Sequence, residues 1–241
     1  MSTPITPDRT IGDLVTERPA RARIFENFGI DFCCGGGKSL ARACGEKNLD
    51  AQQIIGVLNL LDAAPAADET DWSKQPLSAL ADHIERTHHA YLRRQLPWLD
   101  QVTEKVARRH GDRDPRLVEL RLVFTTFAAE LGAHMQKEEQ VLFPLVRRLE
   151  QGDGSAAAPC GGSIRNPIAQ MVREHDDAGD ALARMRELTD DYAVPEGACN
   201  TFRAMLEALR ELELDMHRHV HKENSILFPR AAAAEAALQP A

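Results

Sequence analysis

One phrase occurs twice in the chain and places a histidine and a glutamate four residues apart. The first copy runs from His134 to Glu138 and the second from His219 to Glu223, both within the pattern H-x3-E-x3-L-F-P and 85 residues apart. Residues four apart on an α-helix share one face, so each pair can direct an imidazole and a carboxylate at one point. A glutamate on the apolar face of a helix is costly to bury unless it is paired or bound to a cation. The repeat therefore predicts a metal site rather than two isolated polar pairs at helix ends.

Each copy of the phrase follows a predicted helix that offers one further histidine. His89 and His175 lie 86 residues apart, nearly the offset between the two copies. The matched offsets indicate two copies of one helix hairpin, each with a histidine on its first helix and His-x3-Glu on its second. The apolar stripe of the first helix would instead place His88 inward, so periodicity alone leaves the choice between His88 and His89 open.

The combined ligand set indicates which metal the site would hold. Four histidines and two glutamates offer four imidazole nitrogens and two carboxylates. If both carboxylates bridge, each of two metal ions receives two nitrogens and two oxygens, and an oxo or hydroxo bridge adds a fifth ligand to each. Such mixed ligation suits iron or manganese, whereas structural zinc prefers a closed tetrahedral set with thiolates. The sequence therefore predicts a non-haem di-iron centre with a position open to a small ligand.

The elements that must position these residues are helices. Aromatic residues make up only 5% of the chain and hydrophobic residues 43%, a balance that favours helices over sheets and supplies a core. Pro97 lies inside the first long helix and is expected to kink it or end it early. Long helices with short connections predict an all-α fold with an antiparallel four-helix bundle. The four predicted helices cover residues 77–109, 115–150, 167–190 and 196–230.

Stretches without helical periodicity divide the chain into parts. Residues 1–62 are expected to form a small helical module, followed by a linker over residues 63–76 that is rich in alanine, proline and acidic residues. The bundle then occupies residues 77–230, interrupted by a loop rich in glycine, serine and alanine over residues 151–167. The alanine-rich segment 231–241 is expected to be a flexible tail.

Several other residues lie close to the predicted ligands in the sequence. Glu130 stands one turn before the first copy of the phrase, and Glu174 directly precedes the upstream histidine of the second hairpin. Either could orient a ligand or carry protons near the metal, with a partly buried ion pair as the alternative. Glu139 points about 100° away from the preceding glutamate and is expected to be an exposed charge. His217 and His221 are expected to lie on a solvated face opposite the site.

Cys33 and Cys34 are adjacent and precede three glycines and Lys38. Vicinal cysteines rarely form a disulfide with each other, because the geometry is strained. A nearby lysine and the start of a following helix both lower a thiol pKa, so the pair is predicted to provide reactive thiols with a redox or repair role. The alternative is burial as small hydrophobic residues. A phosphate-binding loop is excluded, because Phe32 occupies the position of its first glycine and no strand precedes it.

Taken together, these motifs resemble known proteins along most of the chain. The helices with His-x3-Glu resemble the hemerythrin-like (HHE) cation-binding domain, and with the N-terminal module the pattern resembles the RIC family of di-iron proteins for iron–sulfur cluster repair (the YtfE/ScdA group). Residues 1–62 of this chain resemble the N-terminal domain of the ScdA proteins in that family. The motifs that carry the resemblance are T-I-G-D-L-V from Thr10, D-F-C-C-G-G-G-K-S-L-A-R-A from Asp31, D-H-I-E-R-T-H-H from Asp82, H-M-Q-K-E-E-Q-V-L-F-P from His134, E-H-D-D-A-G from Glu174 and H-x3-E-N-x2-L-F-P-R from His219.

The resemblance implies a ligand set, a cofactor and a function. It favours His89 over His88. The implied cofactor is a pair of iron ions joined by an oxo or hydroxo bridge, and the implied function is repair of iron–sulfur clusters damaged by nitric oxide or oxidative stress. Repair would proceed through iron donation, or through binding or reduction of nitric oxide. The alternative is a hemerythrin-like carrier or sensor of O2 or nitric oxide without a repair role, but such sites usually have a fifth histidine, and none is in register here. The implied metal ligands are His89, His134, Glu138, His175, His219 and Glu223.

Charge and composition exclude several classes of partner. The formal net charge of −8 does not fit a phosphate-binding basic surface, so nucleic acid is not an expected partner. No apolar stretch approaches the roughly 18 residues that cross a membrane, and no signal peptide is visible. The odd count of five cysteines argues against a disulfide framework and favours a cytoplasmic location. The resemblance adds iron–sulfur proteins as clients and nitric oxide as a small ligand, and a homodimer through the N-terminal module is a further expectation.

Overall fold

The computed structural model describes residues 4–63, 70–153 and 162–238, and within these ranges the protein is helical. Turns and loops connect the helices, and the β-structure in the described residues is limited to an isolated antiparallel bridge between Thr10 and Ser39. The predicted all-α class is confirmed. No helix in the described part of the chain is both long and apolar enough to cross a membrane.

The N-terminal module consists of four short helices around one apolar core. Thr10 and Ser39 start the first and third helices by accepting a hydrogen bond from a backbone N–H three residues later. Arg21 is buried in this module, where it donates to the Leu14 carbonyl and pairs with Asp62 at the end of the fourth helix. The helices are α1 (Ile11–Glu17), α2 (Ala22–Asn27), α3 (Leu40–Glu46) and α4 (Ala51–Ala63).

The second part is a bundle of four long helices whose bounds lie close to the predicted ones. Bundle helix 1 joins α5 (Leu77–Ile84) and α6 (Ala90–His110), and it continues through Pro97 rather than ending early. Bundle helix 2 joins α7 (Arg116–Lys137) and α8 (Phe143–Glu150), and bundle helix 3 is α9 (Arg165–Leu188). Bundle helix 4 joins α10 (Asn200–His221) and α11 (Phe228–Leu238). The start of helix 1 packs against the end of helix 2, as an antiparallel pair requires.

A short π-helical segment interrupts three of the four bundle helices. These segments span Glu85–His89, Glu138–Leu142 and Lys222–Leu227, and each contains a predicted metal ligand. A π-turn inserts an extra residue into the helix and changes which side chains face inward, and such turns are frequent at functional sites. Three of the four bundle helices therefore depart from regular α-helix at the same height in the bundle, where the predicted ligands lie.

The bundle core has two apolar layers with a polar layer between them. One layer contains Leu92, Met135 and Val220, and the other contains Ile84 and Leu142, so each helix passes from one layer to the other. The predicted ligands fall at the crossing point of every helix. Two apolar layers that enclose a few polar side chains shield them from water.

The segment after Ala231 differs from its prediction. It continues bundle helix 4 to Leu238, so the expected flexible tail is wrong as far as that residue. Ala231 is fully buried, and the carboxylate of Glu235 accepts hydrogen bonds from the backbone of Ile164 and the hydroxyl of Ser163. These contacts with the start of bundle helix 3 hold the alanine-rich segment in place, and its sequence alone does not indicate them. Residues 239–241, 64–69 of the predicted linker and 154–161 of the predicted loop lie outside the described residues.

Candidate metal centre

The bundle brings all six predicted ligands to one buried point. Their side chains have between 0% and 4% of their surface exposed. Their ligand atoms form two sets, each within 4.8 Å. The sets differ in their histidines and share both glutamates, which is the arrangement expected for two metal ions bridged by two carboxylates. The sets are His89, Glu138, His219 and Glu223, and His134, Glu138, His175 and Glu223.

Each glutamate contacts one histidine of each set through a different oxygen. In Glu138, Oε2 lies 3.2 Å from Nε2 of His89 and Oε1 lies 3.4 Å from Nε2 of His134. In Glu223, Oε2 lies 3.1 Å from Nε2 of His175 and Oε1 lies 3.1 Å from Nε2 of His219. A carboxylate that presents one oxygen to each of two positions can bridge two cations.

Several polar atoms in this layer lack the partners that burial demands. Both carboxylate oxygens of Glu138 and Nε2 of His89 are buried without a hydrogen bond to any described residue. Buried polar atoms without partners are costly and are rare in folded proteins. Nε2 of His134 and Nε2 of His175 face each other at 3.1 Å, although both Nδ1 atoms are engaged elsewhere. Bare nitrogens and oxygens that converge in this way fit bound cations.

Three of the four histidines donate their second ring nitrogen to an outer partner. Nδ1 of His89 donates to Glu139 at 2.6 Å, Nδ1 of His134 to Glu174 at 2.8 Å, and Nδ1 of His175 to Asn224 at 2.9 Å. These hydrogen bonds fix the tautomer that leaves Nε2 bare and directed at the centre. Glu174 was among the expected neighbours of the site, and it lies there.

The expectations for two other glutamates are wrong. Glu139 is not an exposed charge, because it accepts from His89 and pairs with Arg93. Glu130 is exposed and does not approach the site, because Phe127 and Leu131 take the inward positions of that turn. The two partners that sequence reasoning missed are Glu139 and Asn224. Each directly follows a glutamate of the His-x3-Glu phrase and binds the upstream histidine of its own hairpin. The repeat therefore contained a signal for both.

Both adjacent histidines of bundle helix 1 are buried, but only one belongs to the centre. Nε2 of His88 accepts a hydrogen bond from the Lys222 amine at 3.1 Å, and Nδ1 donates to Asp215 at 2.9 Å. Its ring stacks on that of His219, with ring centroids 5.2 Å apart. Periodicity indicated an inward His88 and the repeat indicated His89, and the π-turn that ends at His89 allows both.

Burial and neighbouring charges shift the pKa values of several residues of the site. Burial lowers the pKa of His134, but the carboxylates of Glu138 and Glu223 outweigh this effect and raise its pKa to about 9. Burial raises the pKa of Glu223, yet His219 and His175 bring it well below the ordinary value. Burial also raises the pKa of Glu174, while Lys137, Gln170 and His134 lower it to about 2. Glu223 is thus held as an anion, the form that a metal ion requires.

The face that carries His217 and His221 is covered by the N-terminal module, so the expected solvated face is wrong. The ring of Phe32 contacts both imidazoles edge-on, with centroids 5.9 Å from His217 and 5.7 Å from His221. Nε2 of His221 also lies 3.4 Å from the hydroxyl of Thr16 in α1. The module therefore packs against the bundle helix that supplies two of the six ligands.

The Cys33–Cys34 pair lies where this module meets α9. Cys33 is buried, and the Cys34 sulfur lies 3.4 Å from the backbone carbonyl of His175. The expected activation by Lys38 is wrong, because its amine pairs with Glu46 at 2.6 Å. The hydrogen bond from the Cys33 thiol to Cys34, together with burial and nearby Asp31, raises the pKa of Cys33 well above its ordinary value. A free thiolate at Cys33 is disfavoured.

The outer partner of His89 allows a direct test of the site. We expect Glu139→Gln to weaken iron binding by about 10- to 100-fold, the usual cost of removing a partner of a ligating histidine. Competition with a chelator measures this affinity. Glu130→Gln is the matched control, because it makes the same chemical change at an exposed position of the same bundle helix. Equal affinities for the two variants would contradict the role given to Glu139.

Comparisons with known proteins cover both parts of the chain. The family model described as the hemerythrin HHE cation binding domain matches residues 80–231, and a domain of unknown function (DUF542, the ScdA N-terminal domain) matches residues 7–62. The chain is 39% identical over 228 residues to the iron-sulfur cluster repair protein YtfE of Pectobacterium carotovorum subsp. carotovorum and to that of Pectobacterium atrosepticum. The protein of the same name from Yersinia pseudotuberculosis has the same identity. Each alignment covers 95% of this chain and 98% of the relative.

Proposed function

The chain belongs to the family of hemerythrin-like iron–sulfur cluster repair proteins, and on that premise we propose that it binds two iron ions and repairs clusters damaged by nitric oxide or oxidants. The observation that carries this proposal is the pair of buried glutamates, Glu138 and Glu223, each shared between two histidine sets. Two carboxylates that are each shared between two histidine sets fit two cations rather than one. Four imidazoles and two carboxylates suit iron or manganese, and the similarity to iron–sulfur cluster repair proteins favours iron.

When bound, the iron pair would supply open coordination positions for nitric oxide and a store of iron for donation to a client. The residues of the chain hold and orient it. Glu138 and Glu223 neutralise positive charge in a dry layer, and the outer partners keep each imidazole in one tautomer. Phe143 and Phe228 stack on the imidazoles of His89 and His175, with centroids 5.8 Å and 5.9 Å apart. These rings exclude water and stop the imidazoles from turning.

The alternative function, carriage or sensing of O2 or nitric oxide, has less support. A carrier of the hemerythrin type would use a fifth histidine. The ring of His88 stacks on His219, but its ring nitrogens face Asp215 and Lys222. The N-terminal module, packed on the bundle with its cysteine pair against α9, also has no role in simple carriage. These observations favour repair.

A reconstitution experiment tests the proposed function. Anaerobically purified protein should contain two irons per chain, and Mössbauer or EPR spectra should change when nitric oxide is added. The iron-loaded protein should also restore activity to a cluster enzyme that nitric oxide has inactivated, whereas Glu138→Ala should not. Full iron content and a nitric oxide response without any restoration would support a carrier or sensor instead. One metal ion per chain, or zinc in place of iron, would contradict the centre itself.

The two histidine sets differ in a way that bears on iron donation. Nδ1 atoms of His134 and His175 both have outer partners, whereas Nδ1 of His219 is buried without a hydrogen bond to any described residue. An imidazole without an outer partner is a weaker and less oriented ligand. We therefore propose that the His89–His219 set gives up its iron first.

This difference predicts two phases of iron removal by a chelator. The faster and slower phases should each account for one iron, with rates that differ by about tenfold, as expected for one missing partner. Glu174→Ala removes the partner of His134 and should bring the two rates together. A single phase in the unchanged protein would contradict the proposed difference, as would a wider separation of the rates in the variant.

Location and partners follow from the same premise. We propose a cytoplasmic protein, supported by the absence of disulfides among the four cysteines that the structure describes. Iron–sulfur proteins would be its clients and nitric oxide a small ligand of its centre. The homodimer expected through the N-terminal module stays a prediction.

A further inference from the structure

The two adjacent cysteines have a geometry that the proposed centre does not use. Their sulfur atoms lie 3.9 Å apart, far beyond the roughly 2.05 Å of a disulfide bond. Two thiolates about 2.3 Å from one metal ion at a tetrahedral angle would lie about 3.8 Å apart. The spacing of Cys33 and Cys34 therefore matches two ligands of a single ion.

A carboxylate completes this group. Ligand atoms of Asp31, Cys33 and Cys34 all lie within 4.8 Å of one another. Oδ1 of Asp31 accepts hydrogen bonds from the backbone N–H of both cysteines, at 2.9 Å and 3.1 Å, and lies 3.1 Å from the Cys33 sulfur. Oδ2 accepts from the backbone N–H of Gly35 at 2.8 Å. The loop is thus wrapped around the carboxylate, and both sulfurs are held on the same side.

The first two of the three glycines after the cysteines are required by this loop. A Cβ on Gly35 would lie 2.9 Å from the Asp31 carbonyl oxygen, and a Cβ on Gly36 would lie 2.7 Å from that of Phe32. Neither distance leaves room for a side chain. The glycine run therefore lets the backbone fold tightly around Asp31 and fixes the two sulfurs at their spacing.

The group opens to a cleft between the N-terminal module and the bundle. The cleft has a volume of about 1170 Å³ and is lined by both cysteines and by Asp176 and Asp180 of α9. An ion can enter from this side. The lining has as many basic as acidic side chains, so the two sulfurs, rather than the charge of the cleft, select a thiophilic cation. Cys34 also packs against Gly179 and the carbonyl of His175, the residue that contributes a ligand to the proposed centre.

We propose that Cys33 and Cys34, with Asp31 as a third ligand, form a second metal site that takes one thiophilic divalent cation from the cleft. Binding releases one proton from each thiol and forms two metal–sulfur bonds, with no change in the oxidation state of metal or sulfur. Sulfur ligands distinguish this site from the nitrogen and oxygen ligands of the bundle centre. Its role as a station through which iron enters or leaves the centre rests on the proposed function.

Cobalt(II) is a suitable probe for the site, because its bonds to thiolates give intense near-ultraviolet absorption that imidazole and carboxylate ligands do not give. The full-length, iron-loaded protein is titrated with Co²⁺ under anaerobic conditions. We expect one Co²⁺ per chain to bind with a thiolate-to-metal band and with release of about two protons. Cys33→Ser/Cys34→Ser should abolish the band, while Cys199→Ser, at an exposed cysteine, should leave it unchanged.

A second variant guards against loss of folding in the double-serine protein. Asp31→Asn keeps an oxygen for the two backbone N–H groups but removes the charge, and it should weaken Co²⁺ binding by at least about tenfold. Iron content and helical circular dichroism are measured for every variant. No thiolate band in the unchanged protein would overturn the proposal, as would a band that persists in the double variant or binding that Asp31→Asn leaves unchanged.

The role of the site is tested separately from its existence. The rate at which added Fe²⁺ fills the empty bundle should fall several-fold in Cys33→Ser/Cys34→Ser, without any change in the final iron content. If Co²⁺ binds as expected but this rate is unchanged, the site exists and the transfer role is wrong. Failure of the bundle to bind iron at all would instead contradict the proposed function and leave the Co²⁺ result intact.

Discussion

Glu138→Ala or Glu223→Ala is expected to remove nearly all iron from the protein, not half of it. Each carboxylate presents one oxygen to each histidine set, so the loss of either one removes a ligand from both metal positions. The remaining anion would also face four imidazoles alone, and the second metal would lack charge compensation in a dry layer. Iron is measured per chain after anaerobic purification, together with helical circular dichroism.

Glu130→Ala is the control for this experiment, because it removes an exposed carboxylate from the same bundle helix. It should retain the iron content of the unchanged protein. His134→Ala should be less severe than Glu138→Ala, since His134 belongs to one set only. If Glu138→Ala retained one firmly bound iron, the carboxylate would serve a single position and the bridged arrangement would be wrong.

The sequence carried enough information to predict the bundle and the residues that meet in it. Long helices have a fixed period, so His134 and Glu138 had to share a face whatever the rest of the chain did. The repeat then supplied the pairing between helices that periodicity alone cannot provide. Most bounds of the bundle helices were close for the same reason, but bundle helix 4 runs from Asn200 to Leu238 instead of the predicted 196–230.

The features that the sequence did not predict depend on departures from regular helix or on distant contacts. Glu139 was expected to face away from Glu138, and it reaches His89 from within a π-helical segment that follows no 3.6-residue period. The burial of His221 depends on Phe32 and Thr16, which lie about 190 or more residues earlier in the chain. The helical end of the chain depends on Glu235 meeting the start of α9. Local patterns contain no information on such contacts.

The contact between the N-terminal module and the bundle leads to the second large expected effect. Gly12, in the first turn of α1, donates its backbone N–H to the Gly36 carbonyl at 2.8 Å. A Cβ at this position would lie 2.7 Å from the hydroxyl oxygen of Ser225 and 3.1 Å from the Gly36 oxygen. Ser225 belongs to the π-helical segment that also carries Glu223. Gly12 thus allows α1 to pack closely against the Ser225 side chain, in the segment that carries a bridging ligand.

Gly12→Val is therefore expected to push the module away from this segment and to loosen the centre. Overpacking of this kind costs about 1–3 kcal/mol, which for a chain of this size lowers the melting temperature by several degrees. Iron content after purification should stay the same, because every ligand comes from the bundle. The rate of iron removal by a chelator should rise by about tenfold or more, and hydrogen exchange should increase in residues 222–227.

Gly45→Val provides the matched control, because Gly45 lies in a helix of the same module and a Cβ there would meet no atom within 4 Å. It should change the melting temperature by no more than about a degree or two. The rate of iron removal should stay the same. Deletion of residues 1–70 is the stronger form of the same experiment, and the remaining bundle should fold and bind two irons with fast release. If Gly12→Val lowered stability without faster iron release, the module would stabilise the fold without controlling the centre. Loss of iron from the folded deletion variant would mean that the module completes the site.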